Sequence, residues 1–338
     1  MASTIAFFNH KGGVGKTTML FNVAVEMGRM GKRVLMVDLD AQANLTAIAL
    51  DDAALTALYP PAPAIGSDTV AGAFAPLVSG AGDVTTPPAA EVRPGKVWLL
   101  PGDIQLTIFE SILPGAWTES LAGQERGFRV TSAPYRMIRD AAARVEADYV
   151  FVDLGPNVGA LNRAVLLGSD YLLVPMASDL FSLRALPSVG SSLDTWVRQW
   201  MTANSVAPPL SFAVPVGLPK VLGYVSQQFN IYRGEATMAF SSWIDKTPDA
   251  FKEGLLDPLA VHADGMGGTL ADPAAIASST AKVGELKNFH SLVPHAQTLR
   301  KAIFELEADD VIRGGQLTRA RDSEVQFETL CREIIART

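Results

Sequence analysis

Short apolar runs alternate with helical patterns along the first two-thirds of the chain. The runs STIAFF (3–8), KRVLMVDLD (32–40) and DYVFVDLGP (148–156) have strand length, whereas TTMLFNVAVEMGRMG (17–31) carries apolar residues at helical spacing. Continuous apolar strands separated by helices are typical of a parallel sheet that is covered on both faces. The pattern therefore predicts an α/β fold, with a mostly parallel, twisted sheet and helices on both of its faces. Further strands are predicted at 97–101, 170–176 and 220–230, and a further helix at 135–147.

Two stretches interrupt this alternation. Residues 59–95 are rich in Pro, Gly, Ala and Thr, which predicts a long loop or a partly ordered insertion. Residues 233–289 form a second irregular insertion, and the segments 296–308 and 322–337 after it have the apolar spacing of amphipathic helices. We therefore predict one domain over residues 1–338, with insertions at about 59–95 and 233–289 and C-terminal helices within about 296–338.

The composition excludes several classes of protein. A single cysteine, Cys331, rules out a disulfide framework and a cysteine-ligated cluster within one chain, and the four histidines show no metal-ligand spacing. No apolar stretch has the length of a membrane span and the N-terminus carries no export signal, so we expect a cytoplasmic protein that does not bind membrane. The net charge of −7 argues against a uniformly basic surface but leaves room for a local basic patch.

The residues NHKGGVGKTT (9–18) stand between the first predicted strand and the first predicted helix. A strand, a loop G-x-x-x-x-G-K-[ST] and a helix form the usual phosphate-binding arrangement, from which this chain departs by having His10 at the first glycine. Glycines let backbone N–H groups turn toward phosphate oxygens, and the helix N-terminus faces the same anion. In that arrangement Lys16 bridges the β- and γ-phosphates and Thr17 ligates Mg²⁺. The predicted nucleotide contacts are Gly12, Gly13, Val14, Gly15, Lys16, Thr17 and Thr18.

A second lysine at the start of the loop distinguishes it from the usual one. Residues 11–17 match K-G-G-x-G-K-[ST] at every position, and here the chain resembles the ParA/MinD family of deviant phosphate-loop ATPases. The resemblance implies Mg²⁺-dependent hydrolysis of ATP by a homodimer that encloses two ATP molecules between its subunits. It also implies that Lys11 reaches the nucleotide of the partner subunit, so that the enclosed γ-phosphate meets a cation from each side.

Two further segments resemble the family at its carboxylates. The segment VDLDAQANLT (37–46) resembles switch I, usually D-x-D-P-Q, and places Asp40 at the carboxylate that positions the attacking water and the magnesium shell; Ala41 replaces the usual proline. The segment DYVFVDLGPN (148–157) resembles the Walker B strand with switch II and makes Asp153 the outer-shell magnesium carboxylate. The implied catalytic residues are Lys11, Lys16 and Asp40, and the implied metal residues are Thr17, Asp40 and Asp153.

The likeness to the family continues more weakly to about residue 232, and the stretch 233–289 has no counterpart there. The segment HSLVPHAQTLRKA (290–302) resembles the family's loop near the adenine base. The resemblance makes Val293 and Pro294 contacts of the base.

Within the family, the sequence favours a ParA-like protein that positions DNA or a protein cargo. ParA-type members bind DNA non-specifically as ATP dimers and are stimulated by a partner protein of the centromere-binding type, which implies a cytoplasmic, nucleoid-associated protein. A MinD-like attachment to membrane is less favoured, because the last helix (322–337) leans acidic and anionic lipid would repel it. Since the phosphate loop begins at residue 11, we expect no preceding helix-turn-helix domain and no operator binding.

Other interpretations stay open at this point. Residues 300–338 hold seven Lys/Arg and eight Asp/Glu, so a mixed-charge solvated surface explains the basic residues as well as a DNA surface does. A biosynthetic or regulatory phosphate-loop ATPase, with the insertion at 233–289 shaping a pocket for a small molecule or protein partner, is the alternative function. Reductases of the nitrogenase-iron-protein type are excluded by the lack of cysteines. The candidate DNA contacts are Arg300, Lys301, Arg313, Arg319 and Arg321.

Overall fold

The computed structural model describes residues 1–59, 67–177, 179–229, 231–232, 235–236, 238–262 and 281–338. Its strands are β1 (Ser3–Phe7), β2 (Val34–Leu39), β3 (Ala90–Arg93), β4 (Val97–Leu100), β5 (Tyr149–Leu154), β6 (Tyr171–Ala177), β7 (Lys220–Phe229), β8 (Ile231–Tyr232), β9 (Glu235–Ala236) and β10 (Lys282–Lys287). Eight of them form one sheet in the order β10-β7-β6-β1-β5-β2-β4-β3, and β8 pairs with β9 in a separate two-stranded antiparallel sheet. Every neighbouring pair in the large sheet is parallel except β3 with β4.

Helices cover both faces of this sheet. They are α1 (Lys16–Arg29), α2 (Asn44–Ala49), α3 (Asp52–Leu58), α4 (Val70–Ser79), α5 (Leu106–Leu121), α6 (Glu125–Thr131), α7 (Ala133–Arg144), α8 (Ala160–Gly168), α9 (Leu180–Ser205), α10 (Met238–Phe251), α11 (Asp257–Ala260), α12 (Leu292–Leu299) and α13 (Gly315–Arg337). Helices α4 to α9 pack into one core, and α1, α2, α12 and α13 pack into a second.

The central strand explains why there are two cores. Successive side chains of a strand point to opposite faces, so an apolar run without polar interruptions needs a cover on each side. In β1, Ile5 and Phe7 enter the core beneath α1 and α13, whereas Ala6 enters the core beneath α5 to α9. The predicted α/β fold with a mostly parallel sheet is confirmed.

The prediction of a long loop over 59–95 is wrong at two places in its described part, α4 and β3. Helix α4 begins after Thr69, whose hydroxyl accepts a hydrogen bond from the Gly72 N–H, and it ends at Gly80, which has a φ of 70°. A polar N-cap and a left-handed glycine are helix-end signals that the Pro- and Ala-rich composition obscures. Strand β3 then pairs antiparallel with β4 at the edge of the sheet. Residues 60–66 lie outside the described residues.

The predicted helix over 296–308 is also wrong at its second half. Helix α12 ends at Leu299, and Arg300 follows with a φ of 54°. The Arg300 side chain donates to the Leu50 carbonyl and pairs with Asp52 at 2.5 Å, while the Ile303 N–H donates to Asn22 Oδ1 at 2.7 Å. These contacts satisfy polar groups of a segment that is not helical. A short 3₁₀ turn at Ile303–Glu305 buries Ile303 and Phe304, and a second one at Ala308–Asp310 buries none of its residues.

The second insertion, predicted over 233–289, is only partly described. A helical segment runs through α10, a π-helical turn (Lys252–Leu256) and α11, and β10 adds the last strand to the sheet. Residues 233, 234, 237 and 263–280 lie outside the described residues. Within the described ranges, no helix combines the length and the apolar character that crossing a lipid bilayer requires.

Candidate nucleotide-binding site

The loop between β1 and α1 exposes backbone rather than side chains. Gly13 and Gly15 have φ values of 74° and 83°, in the left-handed region where a side chain is strained. Gly15 is also the N-cap of α1 and supplies no side-chain cap, so the first N–H groups of the helix stay available to the loop. A helix N-terminus preceded by glycines in this conformation is a ready-made site for phosphate.

Strand β5 brings a carboxylate to the start of α1. Lys16 Nζ donates to Asp153 Oδ1 at 2.5 Å, and Thr17 Oγ1 donates to Asp153 Oδ2 at 2.7 Å. The Lys16 side chain is 8% exposed and that of Asp153 is fully buried. Three residues predicted to serve phosphate and Mg²⁺ thus form one cluster, although 137 positions separate Lys16 from Asp153.

Asp40 follows β2, the strand next to β5. The two strands are in parallel register with Asp38 opposite Asp153, so the chain leaves both at the same edge of the sheet. Asp40 is buried, and its Oδ1 accepts the Gln42 N–H at 3.0 Å. A Cβ atom on Gly155 would lie 3.4 Å from that oxygen, which places the switch II backbone against the Asp40 carboxylate.

Sequence reasoning missed the role of Asp38. Its Oδ2 accepts both the N–H and the hydroxyl of Thr46, at 2.8 and 2.7 Å, and its Oδ1 accepts the Asp40 N–H at 3.3 Å. A Cβ atom on Gly102 would lie 2.7 Å from Asp38 Cγ, so only glycine fits there. Asp38 therefore contacts three neighbouring parts of the chain, which are the backbone at Asp40, α2 at Thr46, and Gly102 in the loop after β4. The repeated aspartates of the sequence VDLD were its only signal.

Burial controls the electrostatics of these carboxylates. Burial raises the pKa of Asp38 to about 7, the nearby Asp153 carboxylate adds to the rise, and the Thr46 hydrogen bonds oppose it. Burial also raises the pKa of Asp153, against the opposing effects of Lys16 and Thr17, and the charge of Asp40 adds to the rise. Like charges in a low-dielectric site repel one another, so the cluster favours an added cation.

Lys11 pairs within its own chain. Its Nζ lies 2.5 Å from Asp179 Oδ2, and both side chains are about one-third exposed. The other Asp179 oxygen caps α9 by accepting the Ser182 N–H at 2.9 Å, and the Lys11 N–H donates to Asn9 Oδ1 at 2.9 Å. Burial raises the pKa of Asp179, but the hydrogen bond from Lys11 lowers it, and the pKa lies below its ordinary value. An aspartate before a helix is recognisable as a cap in the sequence, but not as the partner of Lys11.

Helix α12 lies beside the phosphate loop. Gln297 Nε2 donates to Thr18 Oγ1 at 3.3 Å, a contact that sequence reasoning did not foresee. Val293 is half-buried against the core beneath α1, and Pro294 is exposed. Both predicted base contacts therefore stand on the helix that touches the loop, and their contact with a base stays a prediction.

The predicted DNA contacts do not form one patch of unpaired charge. Arg300 is paired with Asp52, and Lys301 contacts both oxygens of Asp310 at 2.7–2.8 Å. Arg319 donates to the Gly315 carbonyl of its own helix. Arg313, Arg319 and Arg321 are exposed, so a DNA contact there would rest on these three.

Comparisons with known proteins match the part of the chain that holds this site. A family model described as an AAA domain matches residues 2–70, which hold the phosphate loop and switch I. The sporulation initiation inhibitor protein Soj of Bacillus subtilis is 29% identical over 187 residues, which is 55% of this chain and 62% of Soj. The chromosome partitioning protein ParA of Myxococcus xanthus is 28% identical over 193 residues, which is 56% of this chain and 57% of that protein. The chain is thus similar to members of the ParA/MinD family of phosphate-loop ATPases. The matched part spans about three-fifths of the length of these two relatives.

Solved structures extend the likeness along most of the chain. The protein DIP2308 of Corynebacterium diphtheriae superposes with a TM-score of 0.68 at 26% identity, over 88% of this chain and 97% of that one. The McdA–ATP complex of Cyanothece gives a TM-score of 0.61 at 16% identity, over 98% and 96%. The pNOB8 ParA bound to nonspecific DNA gives 0.52 at 19% identity, over 100% and 98%. At identities of 16% and 19%, the McdA and pNOB8 ParA structures show only that the fold is shared.

Proposed function

We propose that this protein is a ParA/MinD-type ATPase, which binds ATP with Mg²⁺ and hydrolyses it to ADP and phosphate. The observation that supports this most is the cluster of Lys16, Thr17 and Asp153, with Asp40 beside it, at the carboxyl ends of β1, β2 and β5. Ligands of open α/β sheets bind at that edge, and the glycine loop provides the anion cradle there.

The roles of the residues follow from their positions. The phosphates would be held by backbone N–H groups of the loop and of the first turn of α1, which are those of Gly12, Gly13, Val14, Gly15, Lys16, Thr17 and Thr18. Val293 and Pro294 would flank the base. The Lys16 ammonium would leave Asp153 and bind the β- and γ-phosphates. Asp40 would orient the water that attacks the γ-phosphorus.

A magnesium ion fits the donors that are present. Mg²⁺ prefers oxygen ligands and is bound through one or two carboxylates, waters and substrate phosphates. Among the described residues, no three His, Cys, Asp or Glu side chains form a cage, as expected when phosphates supply part of the shell. Thr17, Asp40 and Asp153 would hold the ion, which supplies charge neutralisation of the transferred phosphoryl group.

ATP binding would join two copies of the chain, with Lys11 of each facing the nucleotide of the other. Lys11 is one-third exposed at the open side of the loop, so it can leave Asp179 without disturbing the core. We further propose that the dimer binds DNA non-specifically and is activated by a protein of the centromere-binding type, which would place it in the cytoplasm on the nucleoid. The fold shared with pNOB8 ParA, solved with nonspecific DNA, supports this cargo.

The rate of ATP hydrolysis with and without nonspecific duplex DNA, at two salt concentrations, tests the proposal. We expect a DNA-stimulated rate that falls steeply with salt, because phosphate contacts release counterions. Hydrolysis that ignores DNA at both concentrations would favour the alternative, a phosphate-loop ATPase that acts on a small molecule or a protein partner. An absence of Mg²⁺-dependent hydrolysis under every condition would contradict the ATPase itself.

A further inference from the structure

The amino ends of β1, β6 and β7, opposite the phosphate loop, line an open cavity of about 430 Å³. Ser3, Tyr171 and Lys220 line it from these strand ends, and α7 and the loop 215–218 close two further sides. None of the residues assigned above to the nucleotide lines it. The cavity falls within the size range of sites for small molecules.

Two cations without carboxylate partners line this cavity. In the part of the chain that the structure describes, neither Arg139 nor Lys220 forms an ion pair with a carboxylate, and the polar contact of the Arg139 guanidinium is with the Met1 thioether, which also lines the cavity. The Arg139 guanidinium lies 5.5 Å from the centre of the Tyr135 ring, and the Lys220 ammonium lies 5.9 Å from that of Tyr171. An aromatic ring attracts an exposed cation only weakly and leaves its charge in place. Both groups therefore stay able to bind an anion.

The neighbouring arginines of the same region behave differently. Arg136 pairs with Asp83 at 2.7 Å, and Arg144 pairs with Asp140 at 2.6 Å. Of the residues that line the cavity, the one carboxylate is Asp170, whose Oδ2 accepts the Thr4 N–H at 2.9 Å. The charged side chains of the lining thus carry a net charge of about +1 in a chain whose net charge is −7.

Part of the remaining wall is apolar, and the loop that provides it is held in position. Leu167, Val216 and Leu218 line the cavity, and Val216 is 66% exposed. Gly217 has a φ of 88°, and a Cβ atom there would lie 2.0 Å from Trp200 Cδ1, so the loop can approach the indole only as glycine. Trp200 Nε1 also donates to the Pro215 carbonyl at 2.9 Å, which anchors the loop to α9. An apolar wall beside two cations without carboxylate partners is suited to a ligand that has both an anionic group and an apolar part.

We propose that this cavity binds a small organic anion, with a carboxylate or phosphate head at Arg139 and Lys220 and an apolar body against Leu167, Val216 and Leu218. Charge attraction between the head and the cations supplies orientation, and burial of the apolar body supplies affinity. A nucleic acid is a poorer match, because the lining offers only two cations, the half-buried Arg139 and the exposed Lys220, rather than an extended basic surface.

The test uses the full chain with its phosphate loop saturated by Mg²⁺ and ADP. The probe is anilinonaphthalene sulfonate, a sulfonate on an aromatic body, whose fluorescence rises when it is bound. Octanoate and octyl phosphate compete in separate titrations and distinguish the two head groups, and octanol and octylamine carry the same body without an anion. We expect at least one of the anions to displace the probe at about tenfold lower concentration than octanol or octylamine, since one charge contact of about 1.4 kcal/mol is tenfold.

Variants locate the site. Arg139→Gln and Lys220→Gln should each weaken displacement by the preferred anion about tenfold, whereas Arg144→Gln on the same helix and Lys96→Gln on a distant turn should not. Val216→Asp places a negative charge on an exposed position, where folding tolerates it, and should abolish displacement. Equal competition by octanol and the anions, wild-type behaviour of the Arg139 and Lys220 variants, or displacement of the probe by duplex DNA instead of the small anions would overturn the proposal.

Discussion

The same strands connect the carboxyl edge and the amino edge of the sheet, but positively charged side chains have different partners at the two edges. At the carboxyl edge, Lys11 and Lys16 each lie 2.5 Å from an aspartate of their own chain. At the amino edge, Arg139 and Lys220 lie over tyrosine rings and face a cavity without a carboxylate partner. Strands β1 and β6 run directly from one edge to the other.

This difference shows what each edge requires of a ligand. A phosphate at the carboxyl edge must replace a carboxylate that already satisfies the lysine, so binding there exchanges one anion for another. An anion at the amino edge would instead meet Arg139 and Lys220, which contact tyrosine rings and keep their positive charge. The carboxyl edge is therefore suited to a strong, multiply charged ligand, and the amino edge to a weaker one. The predictions below test this contrast, from the largest expected effect to the smallest.

The largest effect is expected for Lys16→Ala. Without the ammonium, the β- and γ-phosphates lose their main cation and Asp153 keeps an uncompensated buried charge, so ATP hydrolysis should fall by about 1,000-fold or more. Steady-state phosphate release measures the rate, and a fluorescent ATP analogue measures binding. Lys96→Ala, an exposed lysine far from the loop, is the control. Wild-type nucleotide affinity in Lys16→Ala would contradict the assigned site.

Lys11→Ala should spare ATP binding but block the ATP-dependent dimer. Truncating one partner of a desolvated charge pair costs about 2–5 kcal/mol, and a symmetric dimer contains the pair twice. Sedimentation with a slowly hydrolysed ATP analogue distinguishes monomer from dimer.

Asp179→Asn is the matched variant for Lys11. Asparagine still caps α9, so stability should change little, but the ion pair that holds Lys11 within its own chain is removed. We expect this variant to dimerise at least as readily as the wild type. If Lys11→Ala dimerises normally, or if Asp179→Asn loses the dimer, Lys11 acts only within its own subunit.

Asp40→Ala should bind ATP and hydrolyse it about 100-fold more slowly, because misplacing the attacking water costs roughly that factor. The ATP-bound dimer should accumulate, which size-exclusion chromatography in Mg²⁺ and ATP detects. Asp40→Asn keeps the shape and serves as the comparison. Turnover at the wild-type rate in both variants would show that another group orients the water.

The smallest effect concerns the pH dependence of stability. The pKa of Asp38 is raised to about 7 in the folded chain, from about 4 when unfolded, so the folded state binds more protons between these values. The free energy of unfolding should therefore fall as pH rises from about 4 to about 7, and level off above that. Urea unfolding in Mg²⁺-free, nucleotide-free buffer at pH 5 and pH 8 measures the difference.

Asp38→Asn provides the control for the pH effect. The variant lacks the titrating group, so its difference between the two pH values should be smaller, though not zero, because burial also raises the pKa of Asp153. A difference as large as that of the wild type would assign the effect to other groups.

Much of the fold was predictable because the signals are local. The apolar runs of β1, β2 and β5 are strand-length and uninterrupted, and the helix after the phosphate loop has a clear apolar period. The errors arose where a local signal competed with a distant contact. Helix α12 stops at Leu299 because Arg300 is held by Leu50 and Asp52, some 250 positions away, and no period in the sequence reports that contact.

The sequence by itself determined the phosphate loop, its two lysines and the aspartates at the ends of β2 and β5, since each is a short motif beside a strand whose type the apolar pattern indicates. Only the tertiary structure decided which charges meet. The strand order β6-β1-β5-β2 places Asp153 against Lys16 and brings Asp179 to Lys11. The same folding leaves Arg139 and Lys220 beside tyrosines. An ion pair depends on a distance of a few ångströms, and that distance is set by packing between segments more than a hundred residues apart.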